Sequence, residues 1–219
     1  MPVTIDYYLS LTSPWTYLGS ARFAAIAERN GATVNIKPCK FGPIFEQTGG
    51  LPLPKRSPQR RAYRMMELKR WREALGIPIN LEPKHFPCDD AAATRLVIAA
   101  RLQGKDAHRL SLELGRVVWE REESLTDPAA ITAAAERAGL DVAELRAGSP
   151  PDAELDRLHE KFTQGGAGHG RLRCAELCAA HRRDFLGPGP AGPAGKRAEK
   201  ARLKKARCDR HHHDRAAFL

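Results

Sequence analysis

No apolar run in this 219-residue sequence approaches the roughly 20 residues that a membrane-spanning helix needs. The opening Met1-Pro2-Val3-Thr4 carries no basic stretch and no apolar run behind it, the two marks of a secretory leader. The expectation is a cytoplasmic, enzyme-like protein with no membrane partner. A disulfide framework is also missing. The five cysteines (Cys39, Cys88, Cys174, Cys178 and Cys208) are odd in number, and a chain without a leader is expected to keep free thiols.

A basic surface spread over the whole chain is lacking too, despite a net charge of +10. From Gly165 onward there are 13 Lys+Arg against 5 Asp+Glu, whereas the first 164 residues hold 23 against 21. The basicity belongs to the tail. Its Lys196–Arg210 stretch would attract a polyanion electrostatically, but no aromatics interleave it for base stacking. No specific nucleic-acid partner is expected. Cys174 and Cys178 with the distant His211-His212-His213 run make a weak zinc pattern, and no metal is expected.

The informative stretch is Ile5-Asp6-Tyr7-Tyr8-Leu9-Ser10-Leu11-Thr12-Ser13-Pro14-Trp15-Thr16-Tyr17-Leu18-Gly19. It reads as a buried strand, a short polar turn and a helix. Ser13 suits the N-cap and Pro14 the first helical position, where its missing N–H costs nothing. Taken alone, Ser-Pro at a helix start is a cap. The same geometry also leaves a hydroxyl beside free N–H groups at the positive end of a helix, where an anion such as a thiolate is stabilised.

Val3 to Leu9 is predicted as a buried strand. Pro14 to Asn30 follows as a helix, with Leu18, Phe23, Ala24 and Ile26 on its apolar side and Gly31 as its stop. Val34-Asn35-Ile36 is a second short strand, giving a right-handed β-α-β unit. Phe41 to Ser57 is predicted as loop from its Gly-Pro and Gly-Gly pairs and its Pro52/Pro54 pair. Pro58 opens a helix through Leu75, whose Arg60, Arg61, Arg64, Lys69 and Arg70 read as a solvated face. Residues 79–89 read as extended. Helical patterns resume at Ala91–Gln103, Asp106–Glu122, Pro128–Ala138, Asp141–Arg146 and Pro151–Gln164. Thr126-Asp127-Pro128 and Ser149-Pro150-Pro151 are helix starts. After Gln164 the sequence is rich in Gly, Pro, Ala and Arg, and its composition is that of a low-complexity, disordered segment.

The combination resembles a known family. Tyr7-Tyr8-Leu9-Ser10 with Ser13 to Leu18 is similar to the start of 2-hydroxychromene-2-carboxylate isomerases, relatives of kappa-class glutathione transferases in the DsbA-like branch of the thioredoxin superfamily. Gln47-Thr48-Gly49-Gly50-Leu51-Pro52-Leu53-Pro54-Lys55-Arg56, Leu68-Lys69-Arg70-Trp71 and Gly76-Ile77-Pro78 are also family-like. The resemblance covers residues 3 to about 164. It implies an α/β, thioredoxin-like fold interrupted by a helical insertion domain, with residues 1–45 as the β-α-β half, 46–164 as the insertion and 165–219 as an aberrant basic tail.

The resemblance also implies glutathione as cofactor, with Ser13 contacting its sulfur in the place of the first cysteine of a thioredoxin Cys-x-x-Cys. Because Ser13-Pro14-Trp15-Thr16 contains no cysteine, dithiol exchange from this site is excluded. The implied reaction is glutathione-assisted isomerisation of a hydroxychromene-carboxylate-like small molecule from aromatic degradation. A thiolate adds, a bond rotates, the ring opens and elimination returns the thiol. Lys55 and Arg56 are the candidates for the substrate carboxylate, unless they are simply exposed loop charges. Phe86 lines the pocket or packs in the core. A glutathione transferase, or a non-catalytic thiol-binding relative, is the alternative, and a homodimer is possible because relatives commonly pair.

The family closes its thioredoxin half with two strands and a helix, carrying a Val-Phe-Gly-Ala-Pro-Ser-Tyr-Val run and a Phe-Trp-Gly-Gln-Asp-Arg-Leu run. Neither occurs here. Regrouping the possible codons one base later makes Arg171-Leu172-Arg173-Cys174-Ala175-Glu176-Leu177-Cys178 compatible with the first. His181 to Gly192 becomes compatible with the second run and its flanks. The expectation is that Gly165–Leu219 is a frameshifted reading of the usual C-terminal half. The β-α-β sheet would then keep an uncovered edge, and the chain as written would fold poorly or be inactive.

Overall fold

The chain was analysed as a computed structural model that describes residues 3–168. Strands β1 (Thr4–Leu9) and β2 (Thr33–Pro38) pair in parallel, from Thr4 opposite Thr33 to Leu9 opposite Pro38. The backbone N–H of Cys39 donates to the Leu9 carbonyl at 2.8 Å and carries the pairing one step further. The alternation of a strand sorts the side chains. Tyr7, Leu9, Ile36 and Pro38 are buried. Asp6 accepts from both Asn35 and Lys37 at 2.7 Å, and the Lys37 ammonium lies 5.3 Å from the Tyr8 ring.

Helix α1 (Pro14–Arg29) links the two strands and buries Tyr17, Leu18, Ser20 and Ala27. Ile26, expected on its apolar side, is 40% exposed. The buried stripe runs through Ser20 instead, whose hydroxyl meets Tyr7 Oη at 2.9 Å. A small hydroxyl residue can therefore serve an inward position that apolar patterning misses.

The stretch 41–57 is not all loop. Phe41–Thr48 forms helix α2, ended by Gly49 in the left-handed region (φ 72°), followed by a one-turn 3-10 helix at Leu53–Lys55. Gly42 and Pro43 sit in the first turn of α2, where a proline forfeits no intrahelical bond. The same dipeptide that reads as a turn thus opens a helix, held by the burial of Ile44. Helix α3 (Pro58–Leu75) starts at Ser57, whose hydroxyl accepts from Arg60 N–H, and ends at Gly76 with φ 62°. Residues 79–89 form no strand. Asn80 bonds through its backbone N–H to the Trp119 carbonyl and through its side chain to the Glu120 carbonyl, which take its polar groups.

The helical part comprises α4 (Ala91–Leu102), α5 (Ala107–Trp119), α6 (Pro128–Arg137), α7 (Val142–Ala147) and α8 (Asp152–Gly168). Helix α5 is the centre. Leu110, Leu114, Val117, Val118 and Trp119 are fully buried, and one apolar core joins them to Tyr7, Leu9, Tyr17, Leu18 and Ile36 of the β-α-β part. Asp127 caps α6 as expected, accepting from Ala129 N–H at 2.9 Å. Ser149 does not cap α8; its hydroxyl donates back to the Leu145 carbonyl of α7. Arg95 on α4 clamps Asp152 and Asp156 on α8 at 3.0 and 2.7 Å. Helix α8 continues through Gly165–Gly168, residues expected to lack regular structure. It brings Gly165 and Gly166 against the Tyr8 ring, where a methyl group on Gly166 would stand 3.3 Å from Cδ1. The remainder of the tail lies outside the described residues, including the frame-regrouped runs and the Cys174, Cys178 and His211–His213 pattern.

No helix among the described residues is long and apolar enough to cross a membrane. One charged group sits against its own ionisation. Asp90, the residue before α4, makes no side-chain cap bond. Burial, followed by the neighbouring Asp89, pushes its carboxyl up to about 6 from 3.8. The fold therefore prefers the neutral acid. This contribution to stability is complete below the unfolded-state value and is lost as pH rises through about 6. Asp90→Asn is expected to raise the unfolding free energy at pH 7 by about 2 kcal/mol and to flatten its fall between pH 4 and about 6. Denaturant titrations of both forms across that range check this.

Candidate active site

Ser13 follows the polar turn after β1 and has extended backbone angles, φ −86° and ψ 121°. That conformation aims its hydroxyl at the open end of α1, where it accepts from the Thr16 N–H at 3.3 Å. The bond is long, so the cap is weak. Because the cap uses an oxygen lone pair, the hydroxyl proton remains available for an acceptor. Pro14 at the first helical position removes one competing donor. The side chain is well covered, with the residue 8% exposed.

In the same turn, Thr16 Oγ1 is buried and has no hydrogen-bond partner among the described residues. A buried hydroxyl normally finds one. The tetrad therefore offers two hydroxyl groups at a helix N-terminus, one donor unspent and one unpartnered, together with the positive end of the helix dipole. That set suits a thiol or thiolate. Neither Cys39 nor Cys88 belongs to it. Cys39 is buried and its thiol donates to the Leu9 carbonyl at 3.6 Å. Burial pushes the Cys88 thiol up from its ordinary value, which keeps it protonated at neutral pH.

The other three sequence-derived candidates lie elsewhere. Lys55 ends the 3-10 turn and is exposed. Arg56 is half-buried. Its Nε donates to the Leu51 carbonyl at 2.7 Å and its guanidinium lies 5.7 Å from the centre of the Phe45 ring. Phe86 is half-buried, with its ring 5.0 Å from that of Trp119. It also lines a cleft of about 360 Å³ bounded by residues 84–88, Ser124 and Thr126. Packing and lining are thus both true of Phe86.

Phe86 meets a residue that sequence reasoning placed on a solvated face. Arg64 lies 6.0 Å from the centre of the Phe86 ring and within the field of Arg56. Its position one helical turn after Arg60 was visible in sequence; its half-burial was not, because no pattern in α3 announced Phe86. No hydrogen bond or ion pair among the described residues links Ser13 to Lys55, Arg56 or Phe86. The cleft beside Phe86, with Lys84, His85, Ser124 and Thr126 on its walls, carried no sequence signal.

Comparison with known proteins identifies the fold and the family. The chain is 29% identical over 150 residues to glutathione S-transferase kappa 1 of Homo sapiens, a match covering 64% of each chain, so this sequence spans a little under two thirds of that relative. It is 26% identical over 189 residues to 2-hydroxychromene-2-carboxylate isomerase of Sphingobium xenophagum, covering 86% of this chain and 88% of that protein. Among solved structures, a 2-hydroxychromene-2-carboxylate isomerase superposes with a TM-score of 0.60 at 17% identity, over 83% of this chain and 95% of that one. A probable DsbA oxidoreductase from Streptomyces coelicolor gives 0.59 at 17% identity, over 86% and 92%. These superpositions show an α/β fold of the DsbA type, mostly helical around a small parallel sheet. The DSBA-like thioredoxin domain profile matches residues 4–166, three quarters of the sequence, and the chain belongs to that family.

Proposed function

We propose that this chain is a glutathione-dependent isomerase acting on hydroxychromene-carboxylate-like intermediates of aromatic degradation in the cytoplasm. The observation that carries the reading is the Ser13 hydroxyl at the mouth of α1, with its proton unspent and Thr16 Oγ1 unpartnered beside it. Similarity to an isomerase over 86% of the chain supports it. When bound, glutathione supplies a sulfur nucleophile that adds to the unsaturated substrate and later departs.

The protein's part is electrostatic and positional. Ser13 Oγ donates its proton toward the sulfur and, with the N-terminal dipole of α1, favours the ionised thiol. Thr16 Oγ1 offers a second hydroxyl in the same turn. Lys55 and Arg56 face the substrate carboxylate, and Phe86 lines the substrate's aromatic part. The missing cysteine keeps the site from exchanging disulfides with the cofactor.

A second reading is a non-catalytic thiol-binding relative, in which the hydroxyl is chiefly a cap, as its bond from the Thr16 N–H allows. The two separate on a pair of variants. Ser13→Ala removes both the donor and the cap, whereas Ser13→Gly removes the donor at a capping cost of only a few tenths of a kcal/mol. For an isomerase, both lower the glutathione-dependent rate by about a hundredfold or more, while Ser13→Gly leaves the melting temperature within a few degrees. No glutathione-dependent turnover even in the form carrying the regrouped tail, with or without either substitution, supports the second reading.

We propose further that the glutathione site is completed by the sequence encoded one base later in the tail. Replacing Gly165–Leu219 by the regrouped translation is expected to raise glutathione-dependent isomerase turnover at least tenfold over the chain as given, equivalent to about 1.4 kcal/mol of barrier. Equal turnover from the two forms, or an intact gene sequence around the Gln164 codon, overturns that proposal.

A further inference from the structure

Helix α1 is held to the core by two kinds of contact. Apolar burial attaches it but has no preferred direction. Hydrogen bonds are directional, so they fix its rotation about its own axis. Ser20 supplies one of them, on Tyr7 at 2.9 Å. Tyr17, nearer the helix start and 4% exposed, supplies the other. Its hydroxyl faces two acceptors, the Pro78 carbonyl at 2.8 Å and Glu120 Oε2 at 3.1 Å. Both acceptors are themselves held. Asn80, two residues beyond Pro78, is bonded to the Trp119 and Glu120 carbonyls. The Glu120 carboxylate lies 3.6 Å from Arg116 Nε, and Arg116 pairs in turn with Glu113.

Tyr17 and Ser13 are four residues apart, so they stand one above the other on the same side of the helix. The Tyr17 N–H also bonds the Ser13 carbonyl at 3.0 Å. A rotation of about 20° carries an atom roughly 3 Å from a helix axis through about 1 Å. A misplacement of about 1 Å costs a positioned reaction roughly a hundredfold. We propose that Tyr17 and Glu120 are positioning residues for Ser13. The phenol, held from the C-terminal end of α5, sets the rotation of the first turn of α1 and with it the line along which the Ser13 hydroxyl points. The inference deepens the isomerase reading and rests on it for what Ser13 does. Orientation of the turn needs no glutathione, so the two fail separately.

The test is amide hydrogen exchange of the full chain, read residue by residue by NMR. The Thr16 N–H, which points at Ser13 Oγ, reports the turn. Tyr17→Phe removes the hydroxyl and keeps the ring, and Glu120→Ala removes one acceptor. Each speeds exchange at Thr16 and Tyr17 about tenfold or more and leaves the amides of α8 unchanged. Glu120→Gln keeps an acceptor oxygen and restores most of the protection. Arg95→Met, which cuts the clamp on Asp152 and Asp156 instead, leaves Thr16 unchanged. A second arm uses the form with the regrouped tail and follows the thiolate absorption of bound glutathione against pH. There Tyr17→Phe moves the midpoint upward, toward that of free glutathione. Should Tyr17→Phe fail to give a cooperative melt, the two Glu120 variants decide in both arms. Thr16 exchange unchanged in the folded variants, or raised equally by Arg95→Met, overturns the proposal, as does an unmoved thiolate midpoint. Exchange that responds as expected, in a protein whose regrouped form binds no glutathione, upholds the positioning of Ser13 and removes the isomerase reading.

Discussion

The seat of Tyr17 on the α5 side of the core governs where everything else lies. Its ring rests over Gly115, and its hydroxyl has two acceptors for its one proton, the Pro78 carbonyl at 2.8 Å and Glu120 Oε2 at 3.1 Å. One side chain thereby joins α1, the segment after α3 and the end of α5. Burial, then the charge of Glu120, pushes the phenol far above its ordinary value, so it remains a donor at any physiological pH. Tyr17 is the fourth residue after the N-cap. Fixing it fixes the first turn of α1, and the direction of the Ser13 hydroxyl follows. The cost of ordering that turn is met by apolar burial along α5, whose Leu110 to Trp119 stretch is closed to water.

Charge is organised in two contrasting ways. Around Glu113, 8% exposed in its side chain, Arg116, Arg121 and Arg137 converge on one carboxylate. There the buried acid is compensated by several donors, as a structural ion network requires. At the start of α3 the arrangement is reversed, with arginines gathered and acid withheld. Each cluster draws partly on helices and partly on the residues beside them, so helix propensity does not separate them. The presence or absence of counter-charges does.

The legible part of the sequence was local chemistry repeated at a recognisable spacing. Ser13-Pro14 fixed the start of α1, and Asp127-Pro128 fixed that of α6, because N-capping depends on a few adjacent atoms. The parallel β-α-β unit and the helical run after Asp90 followed from periodicity. Helix α2 was hidden because Gly42-Pro43 is compatible with both a turn and a first helical turn, and only the burial of Ile44 decides between them. Ile26 and Ser20 exchanged expected places because α1 meets Tyr7 through a hydroxyl pair. Arg64 was misplaced for a tertiary reason: its partner Phe86 is 22 residues away, in an irregular segment with no periodicity.

The burial of Ser13 bears on how such a site works. A thiolate in bulk water gains little from a single hydroxyl donor, because water competes for the charge. In a covered site the same donor and helix dipole act through a lower effective dielectric and need no reorganisation when charge develops. Cover is therefore what an electrostatic role for Ser13 demands, provided the sulfur itself can enter. The unpartnered Thr16 hydroxyl points the same way, whereas the 3.3 Å cap matches that of Ser57 on α3. The first turn of α1 leaves the buried Thr16 hydroxyl unpartnered among the described residues, in a place where unused capacity costs stability.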